Sequence, residues 1–168
     1  MLNKINELSK TEFTEVFGNI FENASWIAER LYSQKPFENF EDLSKKMISI
    51  FEESNNQNKL KIIISHPDLA DQTKIGFLTP DSNKEQSSVG LDQCTKIEFN
   101  EFKNLNLKYK KKFAFPFIVA VKGKKKSEIL VNFKKRLLSD KESEFNEAIK
   151  QVKKIASLRL NELKKEIL

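Results

Sequence analysis

The chain has 168 residues, 39% of them apolar and 32% charged, with 30 basic against 24 acidic side chains and a net charge of +6. That size and composition exclude a disordered segment and suit one domain, residues 1–168, around an ordinary hydrophobic core. A single cysteine, Cys94, excludes an internal disulfide, and four Gly and four Pro are too few for a turn-rich β-sandwich.

The opening MLNKINELSK lacks the apolar core of a signal peptide, no apolar run is long enough to span a bilayer, and the terminal EIL is not a peroxisomal SKL. These features lead us to expect a soluble cytoplasmic protein with no membrane partner. The basic excess is almost all lysine, interleaved with acidic residues along every helical stretch, which is the pattern of a solvated helical surface. The densest positive run, KGKKKS at 122–127, carries no interleaved aromatics, so no nucleic-acid partner is expected.

Helix starts are legible in chain order. SKTE (Ser9 to Glu12) has the pattern of a capping box, and Phe13, Val16, Phe17 and Ile20 follow on one face. Asn23 or Ser25 opens a helix through WIAERLY that ends before Lys35-Pro36. Phe40 to Glu52 places Leu43, Met47, Ile50 and Phe51 at helical spacing, and SNNQN reads as a polar loop before KLKIIIS. SNKE (Ser82 to Glu85) and TKIE (Thr95 to Glu98) repeat the capping pattern. Gly90 stops the first of these helices, and the second runs to about Lys112.

FPFIVAV (Phe115 to Val121) breaks the rhythm. It is continuously apolar and contains a proline, so it is expected to be a buried extended segment. Gly123 turns the chain, Ser127 caps a helix through EILVNFKKRLL, and a last helix starts near Asp140 or Lys141. The expected fold is all-α, a single compact multi-helix domain with one short buried extended segment near 115–121.

One histidine and one cysteine cannot form a zinc site of the usual type, and there is no G-x-S-x-G elbow, no complete phosphate-binding loop and no dinucleotide fingerprint. Three features remain. His66, the only histidine, precedes Pro67, which pushes it out of the helical region. It is either a helix-terminating residue whose ring meets the last carbonyls or a proton-transfer group. Glu85 either completes a cap with Ser82 or, with Ser82 and Gln86, lines the anion-binding first turn of a helix. Arg159 falls inside the apolar stripe Phe145, Ala148, Ile149, Val152, Ile155, Ala156, Leu160, Leu163. It is therefore half of a buried ion pair, the end of an aliphatic stem that snorkels outward, or a ligand for a small anion. Arg30 stands similarly beside Trp26 and Ile27.

HPDLA (His66 to Ala70) resembles the signature of a known family, the 2-oxo-4-hydroxy-4-carboxy-5-ureidoimidazoline (OHCU) decarboxylases of uric acid degradation. LTPDSNKEQSSVGLD (Leu78 to Asp92), KFAFPFIVAVKG (Lys112 to Gly123), IASLRL (Ile155 to Leu160) and FGNIFENASWIAERLY near the start are similar to its further blocks, in order and over nearly the whole chain. The resemblance implies an all-helical fold, a homodimer, and decarboxylation of anionic OHCU to (S)-allantoin with neither metal nor organic cofactor. It implies that His66 is the catalytic acid/base and Glu85 its carboxylate partner. Pro67, Ser82, Gln86 and the backbone of Phe117, Ile118, Val119, Ala120 and Val121 would contact the ring and ureido group, and Arg159 would hold an anionic part of the substrate. Ala114 stands where the family often has Gly, and Asn83-Lys84 is a polar pair between the Ser and the Glu; neither departure touches a catalytic group. The alternatives are the same fold acting on another ureido or imidazole anion, and a basic helical binding module.

Overall fold

The computed structural model describes residues 2–71 and 78–167, so the terminal Leu168 of EIL lies outside the described residues. Among them are nine helices and no strand: α1 (Leu2–Glu7), α2 (Lys10–Phe17), α3 (Ser25–Tyr32), α4 (Phe40–Glu53), α5 (Asn56–Ser65), α6 (Pro80–Ser88), α7 (Lys96–Phe113), α8 (Lys126–Arg136) and α9 (Lys141–Ile167). The all-α expectation holds. The helices fall into two compact units, one of residues 1–62 with 153–168 and one of residues 63–152.

In the first unit α2 packs on α3 and α3 on α4. The capping box at Ser9 forms as expected: Glu12 N–H donates to Ser9 Oγ, and Ser9 N–H donates to Glu12 Oε2 at 2.8 Å. Phe13, Phe17, Leu31, Leu43 and Phe51 are completely buried, each worth about 1.5–3 kcal/mol in removed apolar surface. Two helix starts differ from expectation. Ser25 is the first residue of α3 rather than its cap, with Ala24 at the cap position. The SNNQN stretch is helical from Asn56, because Asn55 Oδ1 accepts the Asn58 N–H.

The second unit is built around Tyr109 of α7, which is fully buried and meets Phe113, Phe115, Phe117 and Phe133 at ring-centroid distances of 4.6, 5.9, 5.4 and 5.6 Å. The capping box at Thr95 forms as expected, and Gly90 and Gly123 take the left-handed backbone (φ 75° and 76°) that a helix stop and a turn require. Helix α7 ends on Ala114, also left-handed at φ 64°, which is where a glycine would be less strained.

Ser82 is not a cap. Thr79 caps α6, its hydroxyl accepting the Ser82 N–H, and Pro80 takes the first helical position. Ser82 therefore sits inside the first turn, and Glu85 and Gln86 lie in the second. Thr79→Ala is expected to cost about 1 kcal/mol, measured by urea denaturation. Ser127 is likewise inside α8, which starts from Lys125, whose N–H donates to Glu128 Oε2. Asp140 caps α9, accepting the Ser143 N–H at 2.9 Å.

Candidate active site

Helix α5 releases its chain at Ser65. His66 makes the last turn contact, its N–H donating to Ile63 C=O at 3.2 Å, and Pro67 has no N–H with which to continue. His66 is buried, and Ala70 turns the segment with a left-handed φ of 56°. A non-glycine residue in that region persists only where the surroundings hold it, and three side chains do so here. From α6, Gln86 Oε1 accepts the Ala70 N–H at 3.0 Å and Nε2 donates to Asp68 C=O at 3.2 Å. From α7, Asn106 Nδ2 donates to Leu69 C=O at 3.0 Å, and Lys110 Nζ pairs with Asp68 Oδ2. The Asp68 carboxylate is thereby paired with Lys110.

Because Gln86 grips this segment, the face of α6 that carries it is turned towards His66–Ala70. Ser82 lies one turn back on the same face, buried, with Glu85 half-buried beside them at the i+3 position. The structure thus brings the α6 face carrying Ser82, Glu85 and Gln86 to the histidine segment. Asn106 is buried, and its Oδ1 finds no hydrogen-bond partner among the described residues. An orphaned buried acceptor costs roughly 1–3 kcal/mol, a cost Asn106 carries while its donor holds Leu69 C=O.

Phe117 to Val121, in the same unit, is buried throughout and has neither helix nor strand, in line with the expectation for 115–121. A buried chain without a sheet partner must satisfy its polar backbone through side chains. Arg136 Nη1 donates to Ile118 C=O at 2.5 Å, and Ala120 N–H donates to Gln151 Oε1 at 2.9 Å. Arg136 is itself held by Glu144, with Nε donating to Oε1 at 2.7 Å, and its guanidinium lies 4.4 Å from the Phe117 ring centre. The Tyr109 hydroxyl donates to the same Glu144 oxygen. Burial, and then that hydrogen bond, hold the Tyr109 phenol above its usual ionisation range.

This Arg136–Glu144–Tyr109 cluster went unread in the sequence. The signal was there: Ile129, Phe133 and Arg136 follow one another at i, i+4 and i+7 on one face of α8.

Arg159 belongs to the other unit. It is buried, as its place in the stripe implied, and Nη1 pairs with Glu22 Oε2 at 3.0 Å and donates to Asn19 C=O at 3.1 Å. A buried ion pair with Glu22 is thus present. Arg30, the ambiguous competitor, is exposed and lies 4.8 Å above the Trp26 ring. Among the described residues no three of His, Cys, Asp and Glu gather as a metal-binding set, and no helix is long and apolar enough to cross a membrane.

A buried histidine at a helix end, faced by a helix carrying a carboxylate, an amide and a hydroxyl, is the equipment of acid–base chemistry on a small polar molecule. The profile of the OHCU decarboxylase family matches residues 6–161, so the chain belongs to that family. It is 34% identical over 159 residues to the 2-oxo-4-hydroxy-4-carboxy-5-ureidoimidazoline decarboxylase of Halalkalicoccus jeotgali, covering 95% of this chain and 89% of the relative. It is 43% identical over 165 residues to the uric acid degradation bifunctional protein of Bacillus sp. (strain TB-90), covering 98% of this chain but only 32% of the relative's length. Among solved structures, an (S)-allantoin synthase superposes with a TM-score of 0.77 at 27% identity, over 97% of this chain and 54% of that one. An OHCU decarboxylase crystallised in the presence of (S)-allantoin superposes at 0.69 and 22% identity, over 93% and 98%, a likeness of fold.

Proposed function

We propose that this chain, as one OHCU decarboxylase-like domain, converts OHCU to (S)-allantoin with His66 as the acid/base. Decarboxylation of OHCU is the reaction for which its family is named, and the chain acts in uric acid degradation as a carboxy-lyase. The carbon–carboxylate bond breaks, carbon dioxide leaves, and the electron pair is delocalised into the neighbouring imine or carbonyl group. A proton is then delivered to one face of the adjacent, ureido-bearing carbon, which sets the hand of allantoin. The hydroxyl-bearing carbon that lost the carboxylate gives up its hydroxyl proton and becomes a carbonyl. A histidine suits proton transfer in both directions near neutral pH. His66 handles the substrate's acidic proton, positioned by Glu85. Pro67, Ser82, Gln86 and the backbone of Phe117 to Val121 contact the ring and ureido group.

The observation that carries the reading is the grip of Gln86 on the segment after His66, which turns the Ser82–Glu85–Gln86 face towards the chain's one histidine. Both ends of that amide keep one further hydrogen-bonding valence. The reading carries with it a homodimer in the cytoplasm, for which light scattering would read twice the 19.6 kDa chain mass. The test of the reaction is to generate OHCU enzymatically and follow its decay by absorbance and the appearance of chiral allantoin by circular dichroism. Acceleration with one hand of product is expected; decay at the spontaneous rate would sink the reading.

A further inference from the structure

The reading above gives His66 its chemistry and Glu85 as its carboxylate partner; the backbone that carries the imidazole is held by other residues. On its amino-terminal side His66 is anchored by the last turn of α5. On its carboxy-terminal side, beyond Pro67, the three residues Asp68 to Ala70 are gripped from two helices. Gln86 of α6 takes the Asp68 carbonyl and the Ala70 amide. Asn106 and Lys110, one turn apart on α7, take the Leu69 carbonyl and the Asp68 carboxylate. The α7 pair is the less expected half of this clamp. Asn106 is buried at a position where an apolar residue would extend the stripe of Phe102, Leu105 and Tyr109, yet only its donor is used. Lys110 is partly exposed, with 41% of its side chain accessible, so the pair adds little to folding and its effect is local.

We propose that Asn106 and Lys110 are positioning residues, which hold the Asp68–Ala70 backbone and through it fix where the His66 imidazole stands. The inference rests on His66 being the acid/base, and it adds two residues on a helix that carries no other site residue. Displacing a reacting group by about 1 Å costs on the order of a hundredfold in rate, so loosening the clamp acts on turnover rather than on substrate affinity.

Two measurements test this, and one needs no substrate. Because His66 is the only histidine, its imidazole gives the sole histidine-ring signals in a ¹H–¹⁵N spectrum of the whole chain. In Lys110→Met and Asn106→Leu those signals are expected to shift and broaden while the thermal midpoint of Lys110→Met stays near wild type. With OHCU, kcat falls roughly tenfold or more while KM changes less than about threefold, and Lys110→Arg restores most of kcat. Asp68→Asn combined with Lys110→Met loses no more than either alone. Wild-type imidazole signals in both Lys110→Met and a folded Asn106→Leu would overturn the proposal, as would a fall confined to KM. Should the wild-type chain leave OHCU untouched, the function assigned above falls, and the imidazole signals still decide whether α7 positions His66.

Discussion

His66→Asn is expected to lower turnover of OHCU by roughly 10²–10⁴-fold, the contribution typical of a positioned general acid or base. The far-UV circular dichroism spectrum should not change. Asparagine keeps the backbone N–H that bonds Ile63 C=O, is polar and of moderate size, and accepts the extended backbone that precedes a proline. No other imidazole exists in the chain to substitute for the missing one. The loss should fall mainly on kcat, because the groups assigned to substrate contact stay in place. Single-turnover kinetics at saturating OHCU make the measurement, and a folded variant with wild-type kcat would remove His66 from the chemistry.

The largest expected effect on stability comes from Arg136→Met. Glu144 is 1% exposed, and its carboxylate is matched by Arg136 and by the Tyr109 hydroxyl. Removing the guanidinium leaves a buried carboxylate without its counter-charge and takes the donor from Ile118 C=O. Breaking a buried pair in this way costs about 3–5 kcal/mol, which for a chain of this length lowers Tm by on the order of 10 °C. The triple change Arg136→Met, Glu144→Leu, Tyr109→Phe removes both charge and hydroxyl, and it should recover most of the loss, since apolar groups can replace a buried pair at little cost. Thermal denaturation of the two variants separates the outcomes. A fully stable Arg136→Met would show that the carboxylate is not buried as described.

Local signals in the sequence translated well where one short motif decides the outcome. The capping boxes at Ser9 and Thr95 and the left-handed glycines 90 and 123 rest on interactions within a few residues, and the buried segment at 115–121 was marked by its own unbroken apolar run. Ser82 misled because S-x-x-E matches a capping box, yet a threonine followed by proline three residues earlier makes the better helix start. The inward Arg159 was legible from its stripe. Its partner Glu22, 137 positions away, was not, since no local pattern reports which distant carboxylate meets a buried cation. The same limit hid Asn106 and Lys110, whose partners lie 37 and 42 residues back. Of the candidate site, the histidine and the α6 face could be read, while the clamp that joins them could not.

The buried stretch Phe117 to Val121 has a consequence for the chain before it folds. FIVAV is uncharged, β-branched and aromatic, and its backbone is held in the native state by Arg136 and Gln151 rather than by neighbouring strands. Until those two helices arrive, it is the kind of segment that pairs with copies of itself into cross-β stacks. Lysines 110–112 stand before it and lysines 122 and 124–126 after it, flanking charges of the kind that keep such stretches apart. The basic cluster KGKKKS, which carries no interleaved aromatics, is one half of this flanking charge. Like charges on both sides of FIVAV would repel the same segment of a second unfolded chain until α8 and α9 cover it.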